Sequence, residues 1–384
     1  MSVMVKRQIR GGNVYTEQCR FVNKSLYMVN DRIVHVEEYQ KADCDEEIVE
    51  AEGRYVIPGL TDIHFHGCMG YDCCDGTYEA LHAMAVYEAK NGVTTITPAT
   101  MTVAEETLMQ IAQTAASYEA RDGAVFAGLY MEGPFISMAK KGAQNPAYIR
   151  KPDAAMFERL QEASGGKIRT VVVAPEVEGA MDFIRALSGK VNISIAHTTA
   201  DYETACEAFK NGASQLTHLY NAMPPFTHRA PGPVGAGADN ASCRAELICD
   251  GIHIHPAVVR TTFQMFGDDR LILISDSMSA TGMVDGEYSL GGQKVYVTGN
   301  RAVLEDGTIA GSATNLMDCM RIAVKNMGIP LESAVKCAAV NPAKAVGIYD
   351  EYGSLAEGKY ASLAILDQDL VLEKVYIRGR EVAR

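Results

Sequence analysis

Two rhythms of apolar and polar residues run along the chain. From residue 57 to about 276, short apolar runs alternate with stretches whose apolar residues recur at helical spacing, the pattern of a parallel α/β fold. Eight runs read as strands: 57–66, 93–97, 125–132, 170–175, 191–197, 214–218, 245–250 and 271–276. Helical patterns between them cover 77–91, 103–120, 178–188, 201–211 and 256–266, and Asn91-Gly92 and Asn211-Gly212 are helix stops. Eight strand–helix units over this length predict an α/β fold of the (β/α)8 TIM-like barrel type. A doubly wound open sheet is the alternative. No G-x-G-x-x-G turn follows the first strand, which argues against the dinucleotide-binding version of that sheet.

The second rhythm belongs to the two ends. Short β-like runs at 3–9, 20–22, 26–29 and 33–37, and again at 361–366 and 371–377, are separated by turn dipeptides such as Gly11-Gly12 and Arg378-Gly379. They predict one small β-sandwich domain built from residues 1–56 plus 347–384, flanking a barrel domain over 57–346. Within the latter, 285–307 carries repeated Gly-containing turns and reads as a β insertion after the eighth strand. Helices resume at about 314–326 and 331–346.

Composition narrows the function. The chain has 384 residues and a net charge of −13. Binding to nucleic acid or to an anionic membrane needs a basic face, so neither is expected. Residues 1–7 lack the apolar core of a signal peptide, and no run reaches the length of a membrane span. The ten cysteines are scattered and form no spaced framework, as expected of reduced thiols in a cytoplasmic protein. Cys68, Cys73 and Cys74 follow the first strand closely, but their spacing fits no common zinc site, and buried thiols are the plainer reading.

The candidate chemistry lies where a barrel enzyme keeps it, at the C-terminal ends of strands. His64 and His66 end the first strand and, two residues apart, point the same way. Glu132 ends the third, His197 the fifth, His218 the sixth and Asp276 the eighth. Each alone could cap a helix or fill a core gap. Together they are six metal-ligand or acid–base side chains at one mouth.

With these residues in place, the chain resembles the amidohydrolase superfamily, and within it the enzymes that deacetylate amino sugar phosphates. The resemblance rests on Pro58-Gly59-Leu60-Thr61-Asp62-Ile63-His64-Phe65-His66-Gly67, Met131-Glu132-Gly133-Pro134, Ala196-His197-Thr198, His218-Leu219-Tyr220-Asn221-Ala222-Met223, Asp250-Gly251-Ile252-His253, Ser275-Asp276 and a stretch over 353–363. It implies a distorted barrel with a flanking β-sandwich. It implies a principal divalent metal on Glu132, His197 and His218, a second on His64 and His66, and zinc or iron as the ion. Asp276 would be the catalytic base, with His253 helping the metal stabilise the oxyanion. Ala143, Asn221, Ala222, His228 and Arg229 would bind substrate. On residues alone, His228-Arg229 is an ordinary solvated loop; the resemblance makes Arg229 a phosphate fork that can come from the neighbouring subunit of a homodimer. The implied reaction is hydrolysis of N-acetylglucosamine 6-phosphate to glucosamine 6-phosphate and acetate. The galactosamine epimer, a cyclic amide or a deaminase substrate are the alternatives. A non-catalytic assembly protein on this fold would be expected to have lost ligands, and all six are kept. His82 and His255 read as structural or surface residues.

Overall fold

The computed structural model describes residues 5–37, 47–120 and 122–383. The expected run 3–9 lies partly outside them; within them the first strand is Lys6–Tyr15.

Strands from both chain ends share one sheet, of eight strands among the described residues. Its order is Arg380–Glu381, Leu372–Ile377, Leu363–Leu366, Tyr55–Pro58, Lys6–Tyr15, Phe21–Val29 and Arg32–Glu37, with Glu47–Glu50 pairing beside Lys6–Tyr15. The register slips between Ile9 and Gly12, a bulge that lets the long strand bend. Ile33 N–H donates to Lys359 O at 2.9 Å and Ala361 N–H to Asp31 O at 2.8 Å, bringing the far edge back toward Leu363–Leu366. The sheet thereby encloses its own core of Ile9, Val14, Leu26, Met28, Ile33, Val56, Leu363 and Ile365.

The run expected as one strand over 57–66 is divided between two sheets. Tyr55–Pro58 belongs to the terminal sheet, and Leu60–Asp62 opens the barrel. Between them Gly59 passes so close to Thr94 that an added Cβ would lie 2.2 Å from its side chain. Only a glycine fits there.

The barrel strands that follow are Val93–Ile96 with Ala99–Thr100, Val125–Phe126 with Leu129–Met131, Ile168–Val173, Asn192–Ile195, Gln215–Leu216, Arg244–Ile248 and Leu271–Ile274. Strands two and three are each interrupted, so the ladder splits into a three-stranded and a seven-stranded parallel sheet. Asp276 N–H donates to His64 O at 3.0 Å, and His66 N–H to Ser277 O at 2.7 Å, closing strand eight onto strand one. Eight helices follow the eight strands in turn: α1 Tyr78–Lys90, α2 Glu105–Ser117, α3 Ala154–Ala163, α4 Ala180–Leu187, α5 Tyr202–Asn211, α6 Gly232–Asp239, α7 Pro256–Phe266 and α8 Leu316–Lys325. The expected (β/α)8 barrel is therefore found, in a distorted form.

Two of these helices were not expected. α3 carries a plain signal, an Asp153 cap that accepts from Met156 N–H and a buried stripe of Met156, Phe157 and Leu160. α6 follows directly on the His228-Arg229 loop. Its glycines and prolines give no amphipathic pattern, yet six of its residues, Gly232 to Gly237, are buried. The helix expected over 331–346 is interrupted by a π turn at Lys336–Val340. Pro342 has no N–H to give, and Asn341 N–H bonds five residues back to Lys336 O.

The β insertion forms as expected, with antiparallel strands Gly286–Leu290, Gln293–Thr298 and Arg301–Leu304. Its Leu290, Val295 and Val297 pack on Met101, Ala143 and Met278 at the barrel mouth. Among the described residues, no helix is long and apolar enough to cross a membrane.

Candidate metal centre

All six candidate ligands stand just beyond barrel strands, and the backbone turns sharply to place three of them. His197, His218 and Asp276 each follow a strand by two residues and take φ of 45°, 30° and 49°. Tyr220 and Ala222 nearby have φ of 77° and 50°. Left-handed backbone is costly for residues other than glycine and concentrates at functional sites. Here it falls at the residues whose side chains meet at the barrel mouth.

The side chains converge in two groups. In the first, Glu132 Oε1 lies 3.0 Å from His197 Nε2 and 2.9 Å from His218 Nε2, and those two nitrogens are 3.3 Å apart. In the second, Asp276 Oδ1 lies 3.3 Å from His66 Nε2 and 3.9 Å from His64 Nε2. Glu132 joins the groups, its Oε2 being 3.2 Å from His66 Nε2. Within each group the ligand atoms lie within 4.8 Å of one another. All six residues are buried.

Burial alone would push the Glu132 carboxyl up. Contacts with His197, His218, His64 and His66 instead hold it well below the ordinary carboxylate range. Burial likewise disfavours a charged His66, but Asp276 and Glu132 outweigh it and raise its pKa to about 10. Asp276, raised by burial and lowered more by His66, ends below its usual value. Two buried carboxylates ringed by imidazoles offer donors that suit a cation. The donor set of imidazole nitrogens and carboxylate oxygens is the usual one for a divalent transition metal. His64 Nε2 is buried without a hydrogen-bond partner, as a ligand atom would be.

A second layer holds the candidate ligands. His197 Nδ1 bonds Lys140 O at 2.8 Å, His66 Nδ1 lies 3.3 Å from Ala99 O, and Gln144 Nε2 donates to Glu132 Oε2 at 2.7 Å. His64 stacks on Tyr130 with ring centroids 4.3 Å apart, and its Nδ1 bonds Glu246 Oε2 at 2.9 Å. Glu246 was missed in the sequence. The signal was a period-two alternation in strands five to seven. Ile193, Ile195, Leu216, Ala245 and Leu247 join the outer core, while Asn192, Ser194, Gln215, Thr217 and Glu246 bond one another or the site.

The groups open into a cleft of about 380 Å³. Of the expected substrate-binding residues, Ala143, Asn221, Ala222 and His253 line it. His253 Nδ1 bonds Asp250 Oδ2 at 2.7 Å, which raises its pKa against burial. His228 and Arg229 do not line it; both are exposed, and Arg229 borders a separate groove beside α5. Lys140, Gln144, Leu290, Thr308 and Ile309 complete the wall. Thr308 and Ile309 follow the β insertion and were not singled out in the sequence. His82 pairs with the Asp122 carboxylate at 3.4 Å, His255 caps α7, and Cys68 and Cys73 are buried free thiols.

A sequence model of the amidohydrolase family matches residues 55–382, both barrel and C-terminal strands. The chain belongs to that family. Among individual proteins it is similar to the N-acetylglucosamine-6-phosphate deacetylase of Bacillus subtilis (strain 168), with 37% identity over 89% of this chain and 88% of that one. It is also 34% identical to the N-acetylgalactosamine-6-phosphate deacetylase of Escherichia coli O157:H7, over 87% of this chain and 89% of that one. A solved structure of a Mycobacterium smegmatis N-acetyl-D-glucosamine-6-phosphate deacetylase, an aspartate-to-alanine mutant in complex with N-acetyl-D-glucosamine-6-phosphate, superposes with a TM-score of 0.91. Identity to it is 33%, and 99% of this chain and 100% of that one are covered.

Proposed function

We propose that this chain is a metal-dependent hydrolase that removes the acetyl group from N-acetylglucosamine 6-phosphate, giving glucosamine 6-phosphate and acetate. The observation that carries this reading is the convergence of Glu132, His197 and His218 with His64, His66 and Asp276 at one cleft, in a chain so similar to deacetylases of that substrate. Glu132, His197 and His218 would hold the principal ion, and His64 and His66 a second; zinc or iron suits these donors. When bound, such an ion polarises the amide carbonyl and acidifies a water.

The protein's own groups do the rest. Asp276 is the only aspartate among the residues lining the cleft. Held below its usual pKa, it starts as a carboxylate, takes a proton from the attacking water and passes it to the sugar nitrogen as the C–N bond breaks. His253, fixed by Asp250, turns its other ring nitrogen to the carbonyl oxygen. Ala143, Asn221 and Ala222 border the sugar. The exposed Arg229 and His228 reach the phosphate of a neighbouring protomer, which makes the working unit a homodimer. The scattered cysteines, in no spaced framework, favour a cytoplasmic setting for this reaction.

An acetate-release screen on metal-quantified protein tests the reaction, using acetamido sugars with and without a 6-phosphate. Activity is expected on the phosphorylated sugars; none on any of them would overturn the reading. The galactosamine epimer is the second reading, favoured by the 34% identity to the Escherichia coli O157:H7 relative. The faster epimer in the same screen decides between them. Arg229→Ala is expected to raise KM about 10- to 100-fold for the phosphorylated sugar, as for a lost charge-assisted bond. An equal effect on the unphosphorylated sugar would remove Arg229 from the phosphate site.

A further inference from the structure

One residue outside both ligand groups touches both. Glu246, in the strand Arg244–Ile248, is fully buried. Its Oε2 accepts from His64 Nδ1 at 2.9 Å and from the His218 backbone N–H at 3.1 Å, and its Oε1 accepts from Gln215 Nε2 at 2.6 Å. Gln215 is oriented in turn, since its Oε1 accepts from Asn192 Nδ2 at 2.9 Å. Asn192 Oδ1 then accepts from Ser214 Oγ at 2.7 Å.

Both arms of the network donate into Glu246. A carboxylate oxygen only accepts, so His64 Nδ1 carries a hydrogen and Nε2 is the nitrogen that can offer a lone pair to a cation. That nitrogen is buried without a partner, 3.8 Å from Glu132 Oε1 and 3.9 Å from Asp276 Oδ1. Tyr130 stacks on the ring and fixes its plane. His66 has a weaker support, a single 3.3 Å approach to Ala99 O.

We propose that Glu246 is a positioning residue that sets the affinity of the His64, His66 and Asp276 group for a divalent cation, by holding the His64 ring through Nδ1 with Nε2 aimed into the site. This rests on the metal reading above. Outer partners of ligating histidines typically tune metal affinity about 10- to 100-fold. The His64 ring depends on Glu246 through its side chain, whereas His218 meets it only through the backbone. Loss of Glu246 should therefore fall on the second ion more than on the first.

The experiment uses the full chain with ¹⁵N-labelled histidine, metal-free and then titrated with zinc against a chelator. Wild type is expected to give a His64 signal with hydrogen on Nδ1, and to take up two zinc ions. Glu246→Leu is expected to lose that tautomer preference and to weaken the second zinc about 10- to 100-fold, with the first within a few-fold. Glu246→Gln, whose amide oxygen can still accept from Nδ1, should recover part of the loss. If Glu246→Leu does not fold, Gln215→Leu keeps the His64 contact but frees the far oxygen, and is expected to give the same signature at smaller scale. An unchanged His64 signal and second affinity would overturn the proposal, as would equal loss of both ions, or a wild type that takes only one. A wild type that binds no zinc, iron or other divalent ion would instead overturn the metal reading itself.

Discussion

Two glutamates, equally hidden, meet opposite fates. Glu132 ends the third barrel strand at the mouth, and Glu88 lies on α1 facing the core. Both side chains are almost wholly removed from water. Glu132 is ringed by four imidazoles and Gln144, and its carboxyl is held well below the ordinary range. Neither oxygen of Glu88 has a hydrogen-bond partner, and burial, with the nearby Asp62 adding to it, pushes its carboxyl well above that range. Burial sets the cost of charge in both places; partners decide whether the charge is kept. A buried glutamate among imidazoles keeps a charge that a cation could use, and a buried one without hydrogen-bond partners is held neutral.

The largest effect expected from this contrast is at Glu132. Glu132→Gln removes the charge that four histidines converge on, so the principal ion should leave and acetate release fall to background. Metal analysis beside the assay checks it, and a folded variant that keeps its ion would break the contrast at its strong end. Next comes Asp276→Asn. It should keep the principal ion and bind substrate, while kcat falls about 10²- to 10⁴-fold, the range for a lost general acid–base group. Asparagine tolerates left-handed backbone and suits φ of 49° at this position. Near-normal kcat would therefore mean that Asp276 serves only the turn.

The six candidate ligands at the mouth were legible because each follows an apolar run and is of a type that seldom ends a strand by accident. Their partners were not. Glu246 and Gln215 sit inside strands that read as apolar, and only the inward half of the alternation marks them as polar lining. Gln144 reaches Glu132 from a loop, and Thr308 and Ile309 reach the cleft from the far side of an insertion. Such contacts are set by how distant segments pack, which local pattern does not encode. The barrel itself was legible in its eight-fold rhythm. What escaped were its interruptions: the passage between sheets at Gly59, the break in strand three before Leu129, and α6, whose buried face is made of glycine, proline, valine and alanine.

The smallest effect sharpens the weak end of the contrast, and it should have the opposite sign. An unfolded glutamate releases its proton near its ordinary value of 4.5, whereas Glu88 in the folded chain keeps its proton well above that. A proton held more tightly when folded stabilises the fold fully below the unfolded pKa. That contribution is lost as pH rises from there toward the folded pKa, at up to about 1.4 kcal/mol per pH unit. Glu88→Gln keeps the shape of the protonated acid and has no proton to lose. The variant should match wild type in urea or thermal unfolding near pH 4.5 and exceed it at pH 8. Acetate release should stay within a few-fold, because Glu88 does not line the cleft. Asp62 lies in the same buried patch with its own carboxyl raised by burial, so relief of their mutual repulsion adds to the gain at high pH. A variant less stable than wild type at pH 8 would mean that Glu88 is charged and partnered, and that burial without visible partners is not enough to mark a glutamate as neutral.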